Sequence, residues 1–168
     1  MLESKFSRDM RRAMSPRIHW TRIENLAHAG VPDIHGRLGS VHVWVETKIV
    51  KNNRITVRWS QLGWLTEQMR AAGSHDSGVW YIAGAGDYVH VWTGLNLYRK
   101  AKAVERQVGL GTAREAVRKD NSGLTFNPGI PDFASSRHDP DTWRKLGTLL
   151  FGSVYGVALE SDRAAVVK

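Results

Sequence analysis

The chain has 168 residues, no cysteine, and a formal net charge of +8 from 24 Lys and Arg against 16 Asp and Glu. Its length suits a single domain with one substantial core. The lack of Cys excludes disulfides, cysteine-based zinc sites and thiol nucleophiles. With no run of about 18 apolar residues, we expect no transmembrane helix but a soluble protein of the cytoplasm. The basic excess favours polyanionic partners such as nucleic acid.

The chain opens with a predicted amphipathic helix over residues 2–14. Its apolar residues recur at helical spacing and are Leu2, Phe6, Met10, Ala13 and Met14. Glu3 borders this stripe, where its carboxylate either reaches inward to a site or only favours the helix dipole. A strand follows over residues 18–24. Glu24 at its end is a second candidate for an inward carboxylate, the alternative being a surface charge on an edge strand.

Residues 32–48, PDIHGRLGSVHVWVETK, carry the most informative pattern. Side chains alternate between the two faces of a strand, so the odd positions from 41 to 49 form an apolar face for the core. The even positions face the other way and are His42, Trp44, Glu46 and Lys48. Glu46 and Lys48 therefore project from one face, about 7 Å apart. The GRLGS segment before them predicts a turn that returns Asp33 beside Glu46.

Charged residues inside so apolar a run are costly unless they are paired, solvated or bound to a metal. Asp33 and Glu46 supply the hard oxygen ligands that Mg²⁺ prefers, and the backbone carbonyl of Thr47 is a further oxygen. Lys48 adds a compact positive charge for a phosphate or an attacking water. The alternative is a plain surface ion pair between Glu46 and Lys48 on an edge strand.

Two histidines, His35 and His42, flank this motif. A histidine acting as a base is conceivable there. However, the chain has no HNH or H-x-x-x-H pattern. We therefore expect a surface or supporting role for these two side chains.

The next helix is predicted over residues 60–72, with Ser60 as its N-cap and Gly73 as its stop. Its core stripe is Leu62, Leu65, Met69 and Ala72. Gln61, near the helix N-terminus, is placed to hydrogen-bond a water or a phosphate, the alternative being a solvated first-turn residue. Arg58 just before it either holds a phosphate or lies on the surface.

The remainder of the chain is less informative. Two strands are predicted over residues 77–83 and 87–93, with Gly84-Ala85-Gly86 as their hairpin turn. We expect helices over residues 95–108 and 113–119, a loop or extended arm over residues 121–139, a last helix over residues 141–151 and a frayed tail from residue 160. A second Pro-Asp, Pro131-Asp132, has no E-x-K partner and indicates turn chemistry.

In order and spacing these motifs resemble the PD-(D/E)XK nuclease superfamily, and most of all its small VRR-NUC and phage-type Holliday-junction resolving endonucleases. The resemblance covers roughly residues 1–95. Its parts are the helix with Glu3, then Pro32-Asp33, the strand with Glu46-Thr47-Lys48, and the helix that opens with Gln61. It implies an α/β fold with a restriction-endonuclease-like core, a mixed β-sheet flanked by helices. Residues 1–112 would form the nuclease core, and residues 113–168 an arm and helix packing on that core or on a dimer partner.

The resemblance also implies an activity, that of a metal-dependent, structure-selective DNA endonuclease whose leading substrate is a four-way junction. Two symmetric cuts would require a homodimer and leave 5′-phosphates and 3′-hydroxyls. The expected ligands of Mg²⁺ or Mn²⁺ are Asp33, Glu46, Thr47 and Glu3. The expected catalytic residues are Lys48, Glu46, Asp33 and Gln61. The expected nucleic-acid-binding residues are Arg8, Arg11, Arg12, Arg54 and Arg58.

Two alternatives remain at this point. One is another nuclease of the same superfamily, whether restriction-like, nicking or exonucleolytic, because the core motifs do not fix the substrate. The other is a non-catalytic basic DNA-binding protein that keeps the fold.

Overall fold

The structure is a computed structural model and describes residues 2–23, 30–72, 78–108 and 123–166. The strands are β1 (His19–Arg22), β2 (Ile34–Leu38), β3 (Val41–Ile49), β4 (Ile55–Arg58), β5 (Val79–Ala85), β6 (Tyr88–Thr93), β7 (Gly123–Phe126) and β8 (Phe133–Ser136). The helices are α1 (Glu3–Ala13), α2 (Trp59–Ala72), α3 (Gly94–Val108), α4 (Thr142–Phe151) and α5 (Ser153–Val166). None of the helices in these ranges has both the length and the apolar character needed to cross a bilayer.

Six strands form one mixed sheet in the order β1-β2-β3-β5-β6-β8. Its one parallel pair is β3 with β5, and the other neighbours are antiparallel. A parallel pair needs a crossover connection, and here β4 and α2 supply it. β4 and β7 form a separate two-stranded sheet. The predicted fold class, α/β with a mixed sheet flanked by helices, is confirmed.

Both faces of the mixed sheet are covered by apolar side chains, which makes three layers. Helices α1, α4 and α5 cover one face with Phe6, Met10, Leu146, Leu150 and Phe151. Helices α2 and α3 and the β4–β7 sheet cover the other with Val57, Leu62, Leu65, Leu97 and Phe126. Apolar side chains that project from the two faces of the sheet complete both groups.

β3 lies in the middle of this sheet, between β2 and β5. Its predicted alternation is observed, because Val43 and Val45 pack into the α1 side of the core. The opposite face is covered as well, so Glu46 is 1% exposed and Lys48 8% exposed. The alternative of a surface ion pair on an edge strand is therefore wrong. The turn before β3 is made at Gly39, whose φ of +60° is a left-handed value that glycine adopts at little cost.

Several predictions about the later elements are wrong. The segment predicted as a loop or extended arm contains two paired strands, because β7 pairs with β4 and β8 pairs with β6. The helix predicted over residues 141–151 is not the last, because α5 follows it after Gly152. The prediction of turn chemistry for Pro131-Asp132 misses a long-range contact: the Asp132 carboxylate accepts hydrogen bonds from the Thr93 N–H and the Asn96 amide at the start of α3.

Two predictions for the helices also need correction. Leu2 is 74% exposed and does not belong to the buried stripe of α1, although Phe6, Met10 and Met14 do. α2 begins at Trp59, directly after β4, so Ser60 is not its N-cap. The predictions for Glu24, Gly73 and residues 113–119 lie outside the described residues.

Candidate metal centre

Asp33 and Glu46 meet across the hairpin of β2 and β3. Ile34 is opposite Val45 in the antiparallel register, which places the residue before Ile34 next to Glu46. The backbone N–H of Asp33 donates to Glu46 Oε2 at 3.3 Å. The carbonyl of Asp33 accepts from the Ile23 N–H at 2.8 Å. Both backbone groups of Asp33 are thus occupied, and its position relative to Glu46 is fixed.

Lys48 lies two residues further along β3, on the same face as Glu46. Its Nζ donates to Glu46 Oε1 at 2.6 Å and lies 3.7 Å from Glu3 Oε1. α1 carries Glu3 to this point because Phe6 and Met10 pack into the core beneath it. The structure therefore brings Glu3, Asp33, Glu46 and Lys48 together from three different elements.

Gln61 has two contacts that together fix the orientation of its amide. Its Oε1 accepts from the Arg58 backbone N–H at 3.0 Å, while its Nε2 donates to Glu46 Oε1 at 2.6 Å. The first contact is one half of a capping box, in which the third helical residue reaches back to the residue before the helix. Because the amide oxygen of Gln61 accepts the hydrogen bond at the start of α2, its NH₂ group faces Glu46. Gln61 is buried, with 5% of its surface exposed.

The surroundings of Glu46 raise the pKa of its carboxyl group. Burial raises the pKa of Glu46 to about 7; the positive charge of Lys48 opposes this shift, and the negative charge of Asp33 adds to it. Burial also raises the pKa of Glu3, again opposed by Lys48 and increased by Asp33. The attraction of the Lys48 ammonium outweighs the repulsion from Asp33 at both carboxylates, so burial is what raises the two pKa values.

The three carboxylates fit a hard divalent cation. One oxygen from each of Glu3, Asp33 and Glu46 lies within 4.8 Å of the other two. Carboxylate oxygens are the ligands that Mg²⁺ prefers, and Mn²⁺ accepts the same donors. A bound cation would stabilise the charged forms of Glu3 and Glu46, which burial disfavours. Thr47 lines the same cleft as Glu3 and Asp33.

Two cavities meet at Glu3, one on each side of this cluster. The smaller, about 180 Å³, lies against Asp33 and Thr47 and includes Arg11 and Arg22. The larger, about 470 Å³, lies against Lys48 and includes Lys51 and Arg54. The acidic cluster is thus flanked by basic side chains on both sides. This arrangement suits a polyanion that crosses the cluster.

Only some of the arginines predicted to bind nucleic acid line these two cavities. Arg11 and Arg54 line the two cavities, whereas Arg8 and Arg12 are exposed elsewhere on α1 and line neither. Arg58 is exposed at the end of β4, and its charge acts on Glu3.

Sequence reasoning missed Lys51, which stands opposite Arg54 across a tight turn. The turn residues Asn52 and Asn53 have φ values of 50° and 56°. An Asn-Asn pair between two apolar strands is a hairpin signal that was present in the sequence.

No protein-family model matches the chain, and no curated protein matches it either. Among solved structures it is similar to the 1.6 Å structure of Hjc, a Holliday junction resolvase from the archaeal hyperthermophile Archaeoglobus fulgidus. The similarity has a TM-score of 0.41 and 16% sequence identity, and it covers 56% of this chain and 75% of that one. A TM-score this low carries no inference about function.

Proposed function

We propose that this protein is a metal-dependent DNA endonuclease of the PD-(D/E)XK type. The observation that carries the proposal is the buried carboxylate of Glu46, which contacts Lys48 at 2.6 Å and lies within 4.8 Å of carboxylate oxygens from Asp33 and Glu3. A fold rarely buries a carboxylate such as that of Glu46 without a use for it, because a buried charge that is not neutralised costs stability.

Each residue of the cluster has a proposed role. Asp33, Glu46 and Glu3 hold Mg²⁺ or Mn²⁺, and the carbonyl of Thr47 adds an oxygen. When bound, the ion supplies Lewis acidity, which lowers the pKa of a water and neutralises charge on the phosphate. Lys48 places its ammonium against the phosphate oxygens as negative charge builds up there. Gln61 holds Glu46 in position and orients the attacking water.

The basic residues of the flanking cavities would bind the substrate backbone. Arg11 lies on one side of the acidic cluster and Arg54 on the other, so a strand crossing Glu3 meets positive charge before and after the scissile phosphate. Arg8, Arg12 and Arg58 would contact phosphates further away. Such contacts position the backbone and carry no sequence information.

The proposed substrate is branched DNA, in particular a four-way junction cut symmetrically by a homodimer. Its support is the order and spacing of the motifs over residues 1–95, which resemble those of resolving endonucleases. We assign residues 1–112 to the nuclease core, and the later described residues add β8 to the same sheet and α4 and α5 to one of its faces. Another PD-(D/E)XK deoxyribonuclease acting on linear duplex is the main alternative.

The test is cleavage of a synthetic four-way junction beside a matched linear duplex and a single strand, in Mg²⁺, Mn²⁺ or EDTA. The variants are Lys48→Gln and Glu46→Gln, with Glu67→Gln as the control, because Glu67 is exposed on α2. We expect paired nicks in the junction that disappear in EDTA and in both site variants but persist in the control.

The other outcomes separate the alternatives. If linear duplex is cut equally well, with the same dependence on metal and on Lys48 and Glu46, the proposed active site stands but the proposal of a junction substrate is wrong. Tight DNA binding without cleavage in any metal would contradict the enzyme proposal and leave a DNA-binding protein. Cleavage that survives in Glu46→Gln would place the active site elsewhere.

A further inference from the structure

We propose that His35 and His42 form a second cation site, separate from the carboxylate cluster and selective for a borderline transition metal such as Zn²⁺, Ni²⁺ or Co²⁺. The two histidines lie on neighbouring antiparallel strands and on the same face of the sheet, where His35 is opposite Trp44 and His42 is opposite Arg37. His35 Nε2 and His42 Nδ1 are 3.1 Å apart.

The separation of the two nitrogens is the argument for a metal. Imidazole nitrogens bind Zn²⁺ at about 2.0–2.1 Å, and two such ligands at a tetrahedral angle are about 3.3 Å apart. The observed 3.1 Å differs little from this value, so binding needs only a small ring movement. The same distance fits a hydrogen bond between two neutral rings, which a metal would replace by taking a lone pair from each.

Neighbouring side chains position the two imidazole rings and leave the proposed site open to solvent. The ring of His35 packs on Trp44 with 4.9 Å between the ring centroids, and the two imidazoles are tilted by only 32° to one another. His42 is exposed and His35 is half-buried, so water can complete the coordination. Among the described residues, no third His, Asp or Glu offers a ligand atom close enough to join them. The site therefore has two protein ligands and moderate affinity.

The ligand type separates this site from the carboxylate cluster. Imidazole suits Zn²⁺, Ni²⁺ and Co²⁺, whereas carboxylates, carbonyls and water suit Mg²⁺. Arg37, directly opposite His42, places a positive charge beside the site and reduces its affinity for cations. This inference does not depend on the proposed nuclease activity.

The experiment is calorimetric titration of the full chain with NiCl₂ and with ZnCl₂ in excess MgCl₂, with tryptophan quenching by Ni²⁺ as a second measurement. Since Trp44 contacts His35, a bound Ni²⁺ ion should quench part of the fluorescence. We expect His35→Gln and His42→Gln each to weaken binding roughly tenfold or more. The control His138→Gln, an exposed histidine on another surface, should bind as the wild type does.

Arg37→Gln should have the opposite effect and bind Ni²⁺ and Zn²⁺ more tightly than the wild type, because it removes a positive charge beside the site. Since His42 is exposed, its variant should fold even if His35→Gln does not, and thermal unfolding checks both. The proposal is overturned if the wild type does not bind Ni²⁺ or Zn²⁺. Unchanged binding in His42→Gln, or displacement by millimolar Mg²⁺, would also overturn it.

Discussion

At the scale of single residues, Glu46 has a carboxylate that water hardly reaches. Three donors point to it, from Lys48, Gln61 and the backbone of Asp33. These contacts stabilise its charged form, but burial is the larger influence and raises its pKa to about 7. Near neutral pH, Glu46 is therefore divided between a protonated form and a form able to bind a metal.

The first prediction concerns stability without metal. The pKa of Glu46 is higher in the folded chain than its ordinary value of 4.5, so the folded state holds the proton more tightly. The resulting stabilisation is complete below pH 4.5 and is lost as the pH rises through 7. It amounts to roughly 3 kcal/mol.

Urea unfolding in EDTA between pH 4 and 9 measures this effect. Glu46→Gln cannot ionise, so its free energy of unfolding should fall less over the same range. Equal slopes for the two proteins would show that the ionisation of Glu46 is not coupled to folding. Metal affinity should change in the opposite direction and rise through pH 7, because the ligand must be deprotonated.

The second prediction concerns Gln61. Gln61→Leu removes the acceptor for the Arg58 N–H and a donor to Glu46, so it should cost about 1–3 kcal/mol of stability and reduce cleavage. Gln61→Glu keeps the acceptor but places a carboxylate against Glu46. The pH profile of cleavage should then move to higher pH. Gln68→Leu, further along α2, is the control, and an unshifted profile in Gln61→Glu would contradict the assigned contact.

At the scale of elements, α4 and α5 form a tight helical pair that also holds α1. The backbone N–H of Ser15, just after α1, donates to the Tyr155 hydroxyl on α5 at 3.2 Å. The ring of Tyr155 lies directly over Gly147 on α4, where a Cβ atom would overlap it. The C-terminal helices therefore help position the helix that carries Glu3.

The third prediction uses two helical glycines of this pair. Gly147→Ala should destabilise the protein by about 1–3 kcal/mol, because the added methyl group displaces Tyr155. Gly156→Ala meets no atom within 4 Å and should stabilise α5 by up to about 1 kcal/mol. Thermal unfolding of the two variants compares the same chemical change at the two positions. Equal effects would contradict the close packing over Gly147.

The parts of the site that the sequence predicts are those set by strand geometry. The alternation along β3 puts Glu46 and Lys48 on one face, and the short turn at Gly39 returns Asp33 to them. The position of Glu3 depends instead on how α1 docks through Phe6, which is a tertiary contact.

The strands β7 and β8 escaped prediction for a related reason. Their Gly-, Pro- and Asn-containing surroundings are typical of loops. Pairing with the free edges of β4 and β6 outweighs this local preference.

At the scale of the whole molecule, the net charge of +8 and the two basic cavities should give DNA binding that weakens steeply with salt. The fourth prediction is that Arg54→Ala reduces the slope of log affinity against log salt by about one. Arg99→Ala, exposed on α3, is the control. Fluorescence anisotropy in EDTA measures binding without cleavage, and an unchanged slope in Arg54→Ala would remove Arg54 from the interface.

The 2.6 Å contact between Lys48 and Glu46 makes the ammonium a resident counter-ion of the carboxylates. An arriving divalent cation competes with that ammonium for the same oxygen. At a pH well above 7, where Glu46 is ionised, Lys48→Met should consequently bind Mn²⁺ more tightly than the wild type, as electron paramagnetic resonance would show, while losing cleavage. In the natural chain, Lys48 would then lower the affinity of the site for metal. Its ammonium would become free to contact the phosphate only after the cation has taken its place at Glu46.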